Sequence, residues 1–315
     1  MFNKDVLSFD IGTYNTKVIM GKGMGKKVKI KEAFTFRTPE GSVEDGQILN
    51  AEALKEKIQR SIREKDIRTK LVTFSIASTK AVMRELVLPC TNEKKIEAMI
   101  PFELSKHIPI TVSDYVIDYV VLEVFNEGKV KKSRINVVAL PKYIVKRYYD
   151  LCNELDMIPT SLVLHAIGSS WYFKDKPIVK SADENVVLID LGHSCTNCSI
   201  IRDGKLLFNR IISVGLVDNM KGMTESEYIE KCMDELKLVF RFYLSIKNEN
   251  KLDRIVLLGG GSKLDDIRRC IQEKLERPTE VFRDKGKFII NKKNKDILIS
   301  QYFNAASALL LDKGR

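Results

Sequence analysis

At 315 residues with 44% hydrophobic content, the chain can bury more than one core, and its length points to about two domains. Its charge of +11 suits an anionic partner but comes with no aromatic interleaving and no recognised nucleic-acid module, so nucleic acid is not expected. No apolar run approaches the roughly 18 to 20 uncharged residues of a membrane span, the start lacks a secretory leader, and six scattered cysteines fit the reducing cytoplasm.

In chain order, Val6 to Ile19 reads as an apolar strand, a tight turn opening with Asp10-x-Gly12, and a returning strand. A further strand is expected at Leu71 to Ala77. Residues 81–157 then carry their own order of elements: a strand (Met83 to Leu88), a helix (Glu93 to Lys106), a strand (Tyr115 to Phe125), a turn at Asn126-Glu127-Gly128, a strand (Arg134 to Leu140) and a helix (Lys142 to Met157). This is a small α+β module inserted in a larger domain, with Ile144, Tyr148, Leu151 and Leu155 on one helix face to cover its sheet. The strand Ser161 to His165 resumes the interrupted domain.

The first figure then recurs: Val186 to Ile200 repeats the Asp, Gly and distal Thr as Asp190, Gly192 and Thr196, in register with Asp10, Gly12 and Thr16. The repetition implies two lobes of related topology. A strand at Leu206 to Ile212 follows. Next comes a helix opened by a capping box, Thr224 with Glu227, whose inner stripe is Ile229, Met233, Leu236, Phe240 and Leu244. A buried strand, Arg254 to Leu258, runs into Gly259-Gly260-Gly261-Ser262 and a helix from about Lys263 to Leu275. The lysine-rich stretches near residues 26–29, 129–132 and 285–295 sit beside Gly or Asn and read as solvated hairpin tips.

A nucleoside triphosphate needs its charge met by backbone amides, a cation and a metal, with no bulky side chains in the way. Gly12 and Gly192 let the two turns approach phosphate, while Thr13, Asn15, Thr16 and Thr196 offer donors and Lys17 a point charge. Asp10 and Asp190, one from each lobe, are placed to hold hydrated magnesium across a cleft. The glycines before Ser262 let a ligand reach a helix start. The competing reading, two tight turns with capping aspartates, does not predict that third element. Neither a P-loop nor G-x-G-x-x-G occurs. His107, at a helix end, and His165, in an apolar run, are read as structural, as are the thiols of Cys195 and Cys198, which are expected on opposite faces of a strand.

These three motifs, Asp10-x-Gly12-Thr13-x-Asn15-Thr16, Asp190-x-Gly192 with Thr196, and Leu257-Leu258-Gly259-Gly260-Gly261-Ser262, resemble the two phosphate motifs and the adenosine motif of the actin-like ATPase superfamily. The resemblance implies an α/β actin-like two-lobed fold of duplicated ribonuclease-H-like domains. The first lobe would take residues 1–80 and 158–185, the inserted module 81–157, and the second lobe 186–315. The module looks like that of the cell-division protein FtsA and the type IV pilus assembly protein PilM. Asp234-Glu235-Leu236 through Phe242-Tyr243, and His107-Ile108-Pro109 ahead of Asp118-Tyr119, are similar to the PilM family.

That resemblance implies a cytoplasmic scaffold that binds ATP and magnesium and receives the cytoplasmic N-terminal tail of a PilN-like membrane protein. It would reach the inner face of the membrane only through that partner, beside a pilus assembly ATPase complex. His193 and Ser194 depart from the small or acidic residues relatives carry, which implies weakened nucleotide binding, and no residue is evident to orient a hydrolytic water, so turnover is slow at most. The alternatives are an FtsA-like division scaffold, against which stands the lack of a terminal amphipathic helix after Leu311, and a small-molecule kinase, for which no further cleft carboxylate offers a base.

Overall fold

The largely apolar flank of Asp10, broken only by Ser8, explains the first element: β1 (Val6–Ile11) is buried at every position, as a strand covered on both faces must be. β2 (Asn15–Met24) returns antiparallel beside it and β3 (Lys27–Arg37) continues the meander. The structure, a computed structural model, describes residues 4–107, 111–174, 181, 183–216, 222–246, 248 and 250–311. A short ladder of β4 (Val43–Glu44) and β5 (Gln47–Ile48) precedes α1 (Ala51–Glu64). Asn50 caps α1 by accepting the Ala53 N–H at 3.1 Å. β6 (Leu71–Ile76) then pairs parallel with β1.

The chain divides into two compact units, one of them Ser78–Asp150. That unit holds β7 (Val82–Leu88), α2 (Glu93–His107), β8 (Tyr115–Glu127), β9 (Val130–Pro141) and most of α3 (Lys142–Glu154), with the sheet ordered β7-β9-β8. Ile96, Ile100 and Leu104 of α2 pack with Leu86, Leu88, Ile135 and Val137 of the sheet. The sequence expects two helices over this sheet. Among the described residues only α2 joins its core cluster; Ile144 and Tyr148 of α3, though buried, are not part of it.

In the larger unit, β10 (Ile158–Leu164) pairs parallel with β6 and leads directly into α4 (His165–Tyr172). The first sheet runs β10-β6-β1-β2-β3-β16, its last strand being Phe288–Ile290. The second comprises β11 (Asn185–Leu191), β12 (Thr196–Arg202), β13 (Lys205–Ile212), β14 (Arg254–Leu258) and β15 (Thr279–Val281), ordered β13-β12-β11-β14-β15. Strand for strand this repeats β3-β2-β1-β6-β10, a three-stranded meander with two parallel strands added beside its first member. The duplicated motifs therefore sit on a duplicated sheet.

The helix Glu225–Ile246, α5, opens on the expected capping box: the Thr224 N–H donates to Glu227 Oε2 at 2.8 Å and the Glu227 N–H to Thr224 Oγ1 at 3.3 Å. It packs Tyr228, Cys232, Met233, Leu236, Phe240 and Tyr243 into a core with Ile255, Leu257 and residues of α6 (Asp265–Leu275). α7 (Ile299–Ala308) contributes Phe303, Ala305 and Ala306 to a second core, shared with Val6, Ile19 and Ile30 of the first sheet and Val186, Leu188 and Val256 of the second. None of the described helices is long and apolar enough to cross a membrane.

Candidate functional site

Both Asp-x-Gly turns have the same local construction. The Gly12 N–H donates to the Asn15 carbonyl at 3.3 Å, and the Gly192 N–H to the Cys195 carbonyl at 3.1 Å. A Cβ at Gly12 would lie 2.9 Å from Asn15 O and one at Gly192 2.7 Å from Cys195 O, so each turn closes only around glycine. The ladders place Lys17 opposite Asp10 and Asn197 opposite Asp190, with Thr16 and Thr196 opposite the following residues. One cation in the first hairpin thus has an amide as its counterpart in the second.

Four strands, two from each sheet, end at one place. Asp10 lies at the end of β1, His165 follows β10, Asp190 lies at the end of β11 and Gly259 follows β14, the carboxyl-end location where open α/β sheets place ligands. Gly259 has φ +79°, and a Cβ there would fall 2.2 Å from Asp190 Oδ1. Its turn therefore rests directly on the Asp190 carboxylate. Ser262 Oγ donates to Gly259 O at 2.7 Å and lies 3.2 Å from Ser300 Oγ, fixing that turn to the start of α7. Gly261 packs on Leu191, whereas Gly260 is open, its nearest neighbour for a Cβ being Leu216 Cδ1 at 3.8 Å.

His165 stands between the two carboxylates. Its Nε2 lies 3.2 Å from Asp10 Oδ1 and its Nδ1 3.5 Å from Asp190 Oδ2, ion contacts without hydrogen-bond alignment. The three side chains are at most 13% exposed. Asn304 of α7 donates from Nδ2 to Asp190 Oδ2 at 2.7 Å, and Lys17 Nζ lies 3.7 Å from Asp10 Oδ2. Burial alone would raise the Asp10 pKa, but Lys17 and His165 outweigh it and hold the carboxyl down at about 2. Burial alone would lower His165, yet the two carboxylates raise it to about 9.

The sequence reading takes His165 as a structural residue at a strand's end; it is instead the first residue of α4 and the centre of this cluster. A polar residue directly after a buried parallel strand is the signal that marks it. Asn304 has no such signal, since its place depends on how α7 crosses.

Beyond the carboxylates the hairpin tips touch. Thr13 Oγ1 donates to Ser194 Oγ at 3.2 Å, and the Tyr14 and His193 rings stack at 4.4 Å between centroids with an 18° interplanar angle. The Arg37 guanidinium lies over the Tyr14 ring. Burial, then the Arg37 and Lys17 charges, lowers the His193 pKa. Thr16 and Thr196, expected as phosphate donors, are fully buried: Thr16 Oγ1 is 2.9 Å from Thr38 Oγ1, which donates to Gly12 O at 2.8 Å, and Thr196 Oγ1 donates to Val214 O at 2.8 Å. These hydroxyls tie each hairpin to its neighbouring segment. The Cys195 and Cys198 thiols are free and raised by burial to about 11 and about 12, which suits inert sulfur.

Magnesium held through water by Asp10 and Asp190 is the expectation from sequence. The carboxylates do converge, but the oxygens that would face the metal's water shell face the His165 ring, and among the described residues no group of three or more His, Cys, Asp or Glu is arranged to hold a metal ion. The residues as placed do not fit that metal. Ile108 and Pro109, which entered the family resemblance, lie outside the described residues.

The fold is shared with a solved structure described as a PilM-PilN type IV pilus biogenesis complex, at 18% identity and a TM-score of 0.83 over 99% of this chain and 98% of that one. It is also similar to the ethanolamine utilization protein EutJ from Carboxydothermus hydrogenoformans, at 11% identity and TM-score 0.53 over 99% and 91% of the two chains. A Bacteroides thetaiotaomicron protein described as having an actin-like ATPase fold matches at 12% identity and TM-score 0.52 over 98% of both chains. The fold is therefore that of the actin-like ATPases. The family described as type IV pilus assembly protein PilM matches residues 8–219, more than half of the chain, and the chain belongs to that family.

Proposed function

We propose that this PilM-family chain is a cytoplasmic, nucleotide-binding scaffold of a type IV pilus machine that holds the tail of a membrane partner. The observation that carries the nucleotide part is the meeting of Asp10, Asp190 and the Gly259 turn at the carboxyl ends of two duplicated sheets. ATP would lie with its phosphates against the backbone of Gly12, Thr13, Asn15 and Gly192 and near Lys17, and its adenosine near Gly259, Gly260, Gly261 and Ser262. We do not assign magnesium to Asp10 and Asp190, because His165 stands between them. No hydrolysis is assigned.

Calorimetry with ATP tests this reading. Lys17→Ala should weaken binding by about tenfold or more, the worth of a lost charged contact, while Asp203→Asn, in an exposed turn with φ 49°, should leave it unchanged. Equal losses from both, or no ATP binding at all, would remove the assignment.

The partner part rests on the module, which we delimit at residues 81–157. The related solved structure is described as a complex with PilN, and the same kind of partner is proposed here: a cytoplasmic N-terminal tail of a PilN-like membrane protein, through which alone this chain would reach the membrane. The edge strand β8 supports it, since an extended peptide can add to an open sheet edge.

A further inference from the structure

An imidazole with a carboxylate oxygen within 3.5 Å of each ring nitrogen is favoured in its doubly protonated form, because only that form carries a charge opposite to its neighbours. His165 is so placed, 3.2 Å from Asp10 and 3.5 Å from Asp190. With Lys17 beside Asp10, two cations already answer two carboxylates. In a site built from a bare pair of carboxylates, a divalent ion is what allows an anionic phosphate to approach.

We propose that His165 is a built-in cation that takes the place of the divalent metal between Asp10 and Asp190, so that this chain takes up its nucleotide without magnesium. The position is fixed by the fold: His165 is the first residue of α4, directly after β10, and Asn304 holds Asp190 at 2.7 Å from the other side. The ring therefore cannot leave without taking one of its two close polar neighbours from each buried carboxylate, Lys17 remaining beside Asp10 and Asn304 beside Asp190, unlike a metal that arrives and departs with its ligand. The nucleotide half of this inference rests on the reading given under Proposed function, whereas exclusion of the metal stands on its own.

Two measurements on the intact chain separate them. In the first, Mn²⁺ alone is titrated and followed by electron paramagnetic resonance. The natural chain should retain no Mn²⁺ at the carboxylate pair, while His165→Asp and the smaller His165→Ser should gain a site that tightens binding by about tenfold or more and disappears when Asp190→Asn is added. Retention by the natural chain that Asp190→Asn abolishes, or folded variants that gain nothing, overturns the proposal; if His165→Asp fails to fold, His165→Ser gives the reading. In the second, ATP affinity is compared in magnesium and in excess chelator. Agreement within roughly threefold is expected, and a loss of about tenfold or more on chelation overturns magnesium independence. Absence of ATP binding in both buffers defeats the nucleotide reading, and with it magnesium-free uptake, and leaves exclusion of the metal to be decided by Mn²⁺.

Discussion

His165 Nε2 lies 3.2 Å from Asp10 Oδ1, with both side chains nearly closed to solvent. The shifts of the two groups fix a pH window. His165 is raised from 6.5 to about 9, so its contribution to stability is complete below pH 6.5 and is lost as pH climbs through about 9. Asp10 is lowered from 3.8 to about 2, so its contribution is present above pH 3.8 and is lost as pH falls through about 2. Urea denaturation between pH 6.5 and 9.5 should therefore show a midpoint that falls with pH, as the unfolding free energy drops by about 3 kcal/mol at most. In His165→Gln that fall should be largely absent. A natural chain whose midpoint is flat across this range would show that the ring is not charged by its neighbours.

Gly259 and Gly260, the first two glycines after β14, should respond very differently to a methyl group. Alanine at Gly259 needs φ +79° and a Cβ 2.2 Å from Asp190 Oδ1, so Gly259→Ala should cost about 3 kcal/mol or more and disturb the carboxylate cluster. Alanine at Gly260 meets only Leu216 Cδ1 at 3.8 Å, and Gly260→Ala should stay within about 0.5 kcal/mol of the natural chain. Thermal melts of the pair decide this. Equal melting temperatures would mean that the turn does not rest on Asp190.

What could be read from the sequence was local and repeated. The Asp10 and Asp190 turns declare themselves because a buried strand, an aspartate and a glycine recur in register, and Thr224 with Glu227 marks a helix start that the hydrogen bonds bear out. What could not be read depends on pairs distant in the chain. Phe288–Ile290 joins the first sheet beside Val28–Ile30, and three residues carry no periodicity that reports such a partner. Thr16 and Thr196 look like donors until Thr38 and Val214 are seen to take their hydroxyls. In α5 the expected stripe drifts: Leu244 is 40% exposed and Tyr243 is buried in its stead, because over 22 residues a stripe read at mixed three- and four-residue spacing turns away from the core.

The contact between the hairpin tips makes a separate prediction. A polyphosphate lying between the two turns must part Thr13 from Ser194 and Tyr14 from His193. An aromatic pair contributes about 0.5 to 1.5 kcal/mol beyond its area, and a closed population lowers apparent affinity in proportion to its share. Tyr14→Ala should accordingly bind ATP more tightly, by up to about tenfold, while His193→Ala should give a similar gain and the double variant no further one. Weaker binding in the single variants would mean that the rings contact the nucleotide instead of blocking it.

The partner tail can be sought on a defined strand. Among the described residues of its unit β8 pairs only with β9, leaving one edge of a 13-residue strand open. Long edges are ordinarily guarded by lysine, proline or brevity; β8 contains neither residue, and Val116, Val120, Val121 and Val124 are each 40 to 48% exposed along it. An added strand would gain backbone pairing along this edge and apolar contacts with those valines. Val116→Lys with Val120→Lys should reduce the affinity for a synthetic tail peptide by about tenfold or more, measured by fluorescence anisotropy. Both positions are exposed, so the melting temperature should move by only a few degrees, as surface changes of about 0.5 kcal/mol do. Hydrogen exchange supplies the second readout, because a paired edge protects the β8 amides in the presence of peptide. If the lysine variant binds the peptide as well as the natural chain does, and the β8 amides exchange at the same rate with and without it, the tail docks elsewhere.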